Sequence, residues 1–147
     1  EHEDKAKAIA GLTKDISEIL VRLELPDQEE NEINVAYHSA CSLQHGQQIS
    51  SHPKDMLKKC GYKISEPKDS HLCCGSAGTY NLLQPKISQE LKNRKIQSLE
   101  AKKPDIIAAG NLGCMMQISS STNIPVVHTV ELIDWATGGP KPNKLYI

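Results

Sequence analysis

Apolar positions along the chain follow two spacings, and these predict helices that alternate with short strands. Where apolar residues recur every three or four positions with charged residues between them, the pattern predicts an amphipathic helix. Short continuous apolar runs bounded by proline or glycine predict strands that are buried on both faces. The predicted strands are 33–38, 62–65, 105–109 and 125–128, and the predicted helices are 6–23, 53–60, 85–101 and 130–136.

This alternation predicts an α/β fold with a mostly parallel sheet and helices on both faces. The acidic, turn-like segment 26–31 separates the first predicted helix from the rest of the pattern, and glycine and proline follow the last one. We therefore expect three parts along the chain. They are an N-terminal amphipathic helix with a linker at 1–31, a cysteine-containing domain at 32–138 and a loose tail at 139–147.

Composition excludes several classes of function. Aromatic residues make up 3% of the chain and the net charge is −1, so neither base stacking nor electrostatic attraction favours a nucleic-acid partner. No apolar run approaches the roughly 20 residues that a membrane-spanning helix needs. The acidic start is also unlike a secretory signal. We expect a cytoplasmic protein whose thiols are kept reduced.

Four of the five cysteines are predicted to meet in space. Cys41 and Cys114 follow predicted strands directly, and Cys73-Cys74 lie in a glycine-containing loop. The carboxyl ends of parallel strands share one edge of a sheet, so we expect a cysteine site at that edge. Four thiolates there suit either an iron–sulfur cluster or a structural zinc ion. Ordinary buried thiols, or a reactive thiol–disulfide pair at Cys73-Cys74, are the alternatives.

Several other residues are candidates for a supporting role around the thiols. His38, His71 and His128 lie near predicted strand ends, where an imidazole N–H can bond a cluster sulfur. Gly75 allows the backbone to approach the site closely. The fifth cysteine, Cys60, ends a predicted helix away from the motif, and we expect it to be a packing residue.

Three separated segments resemble one known family. Residues 35–46, 69–80 and 110–114 are similar to the motifs of the cysteine-rich CCG domain, which also occurs in heterodisulfide reductases. Within that family they most resemble the C-terminal part of the iron–sulfur subunit of bacterial glycolate oxidase. The resemblance implies that four cysteines hold an iron–sulfur cluster, most simply a 4Fe-4S cluster. The implied ligands are Cys41, Cys73, Cys74 and Cys114.

The resemblance also implies partners and a role. It implies an electron relay inside a complex that oxidises a 2-hydroxy acid, from flavin-containing glycolate oxidase subunits toward the quinone pool. The implied neighbours include an upstream ferredoxin-like part of the same subunit, and peripheral attachment at the inner face of the cytoplasmic membrane is an alternative to a free cytoplasmic location. No independent turnover is expected from this chain.

One position departs from the fullest form of the family pattern. That form has a second cysteine three residues after the last one, where this chain has Gln117. The five-thiolate version holds a non-cubane cluster pair, so the resemblance here implies a single four-iron cluster, or zinc, on four cysteines. Gln117 is then a candidate neighbour of the site and not a thiolate ligand.

Overall fold

A computed structural model describes residues 2–23, 25–26 and 28–145 and contains a four-stranded sheet in which every strand pair is parallel. The spatial order is β2-β1-β3-β4, so β1 and β3 are the central strands. The predicted α/β class and parallel sheet are confirmed. The strands are β1 (Asn34–His38), β2 (Lys63–Ser65), β3 (Ile106–Ala109) and β4 (Val126–His128).

Helices connect and cover these strands. Their starts follow local chemistry: His128 and Glu131 form a capping box at the start of the last α-helix, and Pro85 opens the longest. A single π-helical turn, Ser42–Gly46, follows β1, and a 3-10 turn, Asn143–Leu145, lies near the end of the described chain. The α-helices are α1 (Glu3–Leu12), α2 (Ile16–Arg22), α3 (His52–Lys59), α4 (Tyr80–Leu83), α5 (Pro85–Glu100), α6 (Leu112–Ser119) and α7 (Thr129–Ala136).

The sheet separates two apolar cores. Because side chains alternate along a strand, Ala36 joins the core on one face, and Val35 and Tyr37 join the core on the other. Helices α5 and α6 supply apolar side chains to the first core, and α2, α3 and α7 supply them to the second. The prediction of helices on both faces is confirmed.

The prediction of one continuous helix over 6–23 is wrong. The backbone becomes extended at Thr13, and the Asp15 side chain then accepts the backbone N–H of Ser17 at 2.9 Å to begin α2. A side chain that caps a new helix competes with continuation of the old one. Helix α1 buries none of its residues, and Leu12 is 81% exposed, so its apolar spacing does not produce a packed face.

Two segments for which no helix was predicted are helical. The turn after β1 is the π-helical turn, and the segment after β3 forms α6, whose first turn is capped by the Asn111 side chain. Asn111 favours a helix N-cap as well as a turn, and Gly113 disfavours a helix, so the sequence did not decide between the two. In α5, Ile87 belongs to the apolar spacing but is 48% exposed, whereas Ser88 and Lys95 are buried.

The C-terminal segment returns to the sheet. Leu145 packs against the second core, and the Lys141 ammonium lies 5.9 Å from the centre of the Trp135 ring. The division of the chain at 31/32 and 138/139 stays a prediction. Within the described ranges, no helix has the length and apolar content needed to cross a membrane.

Candidate metal centre

Four cysteines line one pocket at the carboxyl edge of the sheet. The pocket encloses about 380 Å³, and Ser76, Asn111 and Gly113 complete part of its wall. The sequence-predicted convergence therefore occurs in space, although which thiols bind a metal stays a prediction. Cys60 lies in the core on the opposite face of the sheet and is 2% exposed. The pocket thiols are those of Cys41, Cys73, Cys74 and Cys114.

The two central strands deliver two of these thiols. Cys41 follows β1 and begins the π-helical turn. Cys114 lies in the first turn of α6, just after β3, where its backbone N–H donates to the Asn111 side chain at 3.2 Å. Because β1 and β3 are hydrogen-bonded neighbours, the chain segments that leave them are adjacent. Parallel pairing thus brings together residues that are far apart in sequence.

The adjacent pair reaches the pocket from a long loop after β2, and Gly75 fixes that loop. Its φ angle is +89°, and its backbone N–H donates to Cys73 Sγ at 3.3 Å. Ser88 on α5 donates its hydroxyl to the Gly75 carbonyl at 2.8 Å, and Gln117 on α6 donates to the Ser88 hydroxyl at 3.0 Å. Gln117 thus braces the loop from behind and is not part of the pocket wall.

Among the three histidine candidates, His38 is the one that the structure brings to the thiols. Its ring has a nitrogen within 4.8 Å of the sulfurs of Cys74 and Cys114, and the three side chains are all buried. His71 is exposed. His128 instead caps α7, where its Nδ1 accepts the backbone N–H of Val130 at 3.2 Å.

The thiols influence one another strongly. A hydrogen bond from the Cys114 thiol lowers the pKa of Cys74 well below its usual range, and the same contact raises the pKa of Cys114. Burial, followed by the charge of neighbouring Cys73, raises the pKa of Cys41 to about 11. Without another positive charge, so crowded a set of sulfurs cannot all ionise.

A family model for cysteine-rich domains, named CCG, matches residues 35–119, which is more than half of the chain. The chain belongs to the CCG family of cysteine-rich domains. The matched segment contains all four pocket cysteines together with His38 and Gln117. The family resemblance of the sequence motifs is thereby confirmed.

Curated relatives of this CCG domain share most of its length. The glycolate oxidase iron-sulfur subunit of Escherichia coli is 34% identical over 136 residues, covering 92% of this chain and 33% of the relative. A probable glycolate oxidase iron-sulfur subunit of Bacillus subtilis is 28% identical, covering 94% of this chain and 34% of the relative. Lactate utilization protein A of a Geobacillus strain is 26% identical, and the match covers 91% of this chain and 60% of the relative. The chain thus spans about a third of the first two relatives.

Sequence reasoning missed one residue near the thiols of the CCG domain. Lys95 is 0% exposed, and its ammonium donates to the Asp69 carbonyl at 2.6 Å and to the Ser70 carbonyl at 3.4 Å, just before the paired cysteines. Burial lowers the pKa of Lys95, and the charges of Cys41 and Cys74 oppose that effect. The sequence did contain one signal that Lys95 is buried. It lies seven residues after Ser88 and four before Leu99, which places it on the buried side of α5.

The donor set of the pocket fits a thiolate-bound metal. Four thiols and one imidazole are soft or borderline ligands, which suit zinc or an iron–sulfur cluster and not calcium or magnesium. Both nitrogens of the buried His38 ring lack a hydrogen-bond partner among the described residues. The buried Lys95 ammonium interacts electrostatically with Cys41, Cys74 and Cys73. A metal supplies the partner that His38 lacks and adds the further positive charge that several ionised thiols require.

Proposed function

We propose that this CCG domain holds an iron–sulfur cluster and passes electrons within a complex that oxidises a 2-hydroxy acid. The observation that carries the proposal is the meeting of Cys41, Cys73, Cys74 and Cys114 in one pocket. The names of two relatives, both glycolate oxidase iron-sulfur subunits, support iron over other thiolate-bound metals. The proposed ligands are those four cysteines.

The chain's own residues prepare the site for this role. A bound cluster supplies a one-electron carrier, and the protein contributes thiolates, their positions and the surrounding charge. Cys74 and Cys114 are buried, whereas Ala77 and Gly78 at the pocket wall are exposed. The site is therefore sheltered on the sheet side and open toward the loop, where a redox partner can approach.

The wider role follows the relatives and is proposed with the cluster. Flavin-containing glycolate oxidase subunits would donate the electrons, and a ferredoxin-like part of the same subunit would connect the domain toward the quinone pool. We propose a cytoplasmic location, with attachment to the inner face of the membrane through partners as the alternative. This domain would have no turnover of its own.

We propose a single 4Fe-4S cluster because the pocket offers four thiols. Gln117 stands where a fifth thiolate would be, and it is occupied in bracing Ser88. A full non-cubane pair on five thiolates is therefore not part of the proposal.

A structural zinc ion is the second candidate, and one distance favours it. The donor atoms of His38, Cys74 and Cys114 lie within 4.8 Å of one another. Around a tetrahedral zinc ion with bonds of about 2.3 Å, sulfurs are about 3.8 Å apart. Three donor atoms no more than 4.8 Å apart can therefore reach one ion after a movement of about 1 Å. With zinc bound, the domain would assemble subunits and would not carry electrons.

Metal analysis of the full chain separates these functions. The chain is purified without oxygen, reconstituted with iron and sulfide, and measured for iron, acid-labile sulfide and zinc, with an electron paramagnetic resonance spectrum after reduction. About four irons and four sulfides per chain are expected for one 4Fe-4S cluster. Zinc alone after this treatment would support the structural ion. A metal-free chain with reactive thiols would support thiol–disulfide chemistry and overturn the proposal.

Substitution of Cys74 by serine is expected to reduce bound iron by more than half and leave the sheet folded. A serine hydroxyl is a far poorer ligand for a soft site than a thiolate. Cys60→Ser is the matched control, because Cys60 is equally buried but lies on the opposite face of the sheet. We expect that control to lose about 1 kcal/mol of stability and to keep its iron. Equal iron in both variants would remove Cys74 from the site.

A further inference from the structure

We propose that His38 is a direct metal ligand, bound through a ring nitrogen alongside Cys74 and Cys114. The inference rests on the proposed function to the extent that the pocket must hold a metal. It changes the nature of the site, because an all-cysteine set becomes a mixed imidazole–thiolate set. Cys41 or Cys73, which line the same pocket, would complete four ligands.

The strand places this imidazole on the side of the thiols. His38 is the last residue of β1 and pairs with Ala109, the last residue of β3. Alternation along the strand puts His38 on the same face as Ala36, and Ala36 shares its core with Cys74 and Cys114. The ring is therefore held by the central strands of the sheet, at the edge where the cysteine segments meet.

The ring has no partner that would explain its burial. His38 is 0% exposed, and neither Nδ1 nor Nε2 has a hydrogen-bond partner among the described residues. A buried polar group without a partner costs about 1–3 kcal/mol. His128 differs in this respect, since that ring satisfies Nδ1 by capping a helix. Two unpaired nitrogens beside thiols point to a partner that is not part of the polypeptide.

Distances agree with direct binding. The ligand atoms of His38, Cys74 and Cys114 all lie within 4.8 Å of one another. A metal with bonds of about 2.0–2.3 Å to nitrogen and sulfur holds adjacent ligands about 3.3–3.8 Å apart. For three ligands on one metal ion, a closing movement of at most about 1.0–1.5 Å brings these atoms to that spacing. A contact with His38 contributes to the lowered pKa of Cys74, so the ring lies against that sulfur. A purely supporting histidine would also have its second nitrogen paired, and His38 has no such partner among the described residues.

The chain also lacks one thiolate of the fuller family pattern. The cysteine of the fuller family pattern is replaced by Gln117, which is turned toward Ser88. His38 supplies an extra soft-metal donor close to two of the pocket thiols, those of Cys74 and Cys114. Imidazole in place of thiolate raises the reduction potential of an iron–sulfur centre. A His38-ligated cluster would therefore accept electrons more readily than an all-cysteine cluster in the same pocket.

Nitrogen hyperfine coupling tests this inference on the full chain. The protein is labelled with ¹⁵N-histidine, reconstituted with iron and sulfide, reduced, and measured by pulsed electron paramagnetic resonance. A chain that takes up only single ions is loaded with cobalt(II) and measured in the same way. We expect a strong coupling from one directly bound histidine nitrogen. A metal-loaded wild-type chain without that coupling overturns the inference and leaves the proposed function standing.

Two glutamine variants assign the coupling to a residue. His38→Gln is expected to lose it and to weaken cobalt binding at least about 100-fold, since even the loss of an outer hydrogen-bond partner of a ligand costs about 10–100-fold. His71→Gln is the control, because His71 belongs to the same motif region but is exposed. Retention of the coupling in His38→Gln would assign it elsewhere and overturn the inference. If His38→Gln fails to fold, each of the other five histidines is replaced by glutamine in turn, and a coupling that survives in all five variants is assigned to His38. A wild-type chain that binds neither iron nor cobalt overturns the proposed function as well.

Discussion

Substitution of Gly75 by alanine is expected to lower the free energy of unfolding by about 3 kcal/mol and to release the proposed metal. An added Cβ would clash with the carbonyl oxygen of Ser88, and the φ angle of +89° is unfavourable for any residue with a side chain. The loop must therefore move away from α5. That movement breaks the Ser88–Gly75 hydrogen bond and displaces Cys73 and Cys74.

Gly78→Ala is the matched control for this prediction. Gly78 lies in the same loop, lines the same pocket and has a φ angle of +63°, but an added Cβ would meet no atom within 4 Å. Backbone strain alone should cost about 1 kcal/mol there. Denaturant unfolding and iron content are measured on both variants. Similar losses in the two would show that the close approach of Gly75 to Ser88 does not hold the cysteine loop.

Sequence alone predicted the parts of the site that depend on strand order. Cys41 and Cys114 follow β1 and β3, so their meeting required only a parallel sheet with those strands adjacent. The position of Cys73-Cys74 was harder to predict, because a long irregular segment separates the end of β2 from the paired cysteines. That loop is fixed by Ser88 and Gln117, which are contacts between distant segments. No local pattern encodes such contacts.

The polar residues beneath the pocket were the least predictable. Lysine in an amphipathic helix is usually placed on the solvent side, yet Lys95 is fully buried because two loop carbonyls accept its ammonium. His38 was one of three histidines near strand ends, and only the side-chain geometry separates it from His71 and His128. The positions of Lys95 and His38 both depend on the polar atoms around them, and the spacing of hydrophobic residues does not predict those atoms.

The substitution Lys95→Met removes a buried charge and is expected to lower the reduction potential of the proposed cluster by roughly 60 mV. This equals about 1.4 kcal/mol for one electron, the order of magnitude for charges several ångströms apart in a partly buried site. Reduction adds negative charge to the pocket, and Lys95 is the buried cation whose pKa responds to Cys41 and Cys74. Within the described residues, no carboxylate forms an ion pair with it.

Arg94→Met separates a buried charge from an exposed one on the same helix. The Arg94 side chain is 62% exposed and pairs with the carboxylate of Asp69 at 3.1 Å, so water and that carboxylate screen its charge. A spectroscopic redox titration of the reconstituted protein should show less than about a third of the Lys95→Met shift in Arg94→Met. Equal shifts would mean that the potential follows the net charge of the domain. An unchanged potential in Lys95→Met would mean that Lys95 only anchors the Asp69-Ser70 turn. A large shift in Lys95→Met with little shift in Arg94→Met would mean that the buried ammonium acts directly on the charge held by the thiolates.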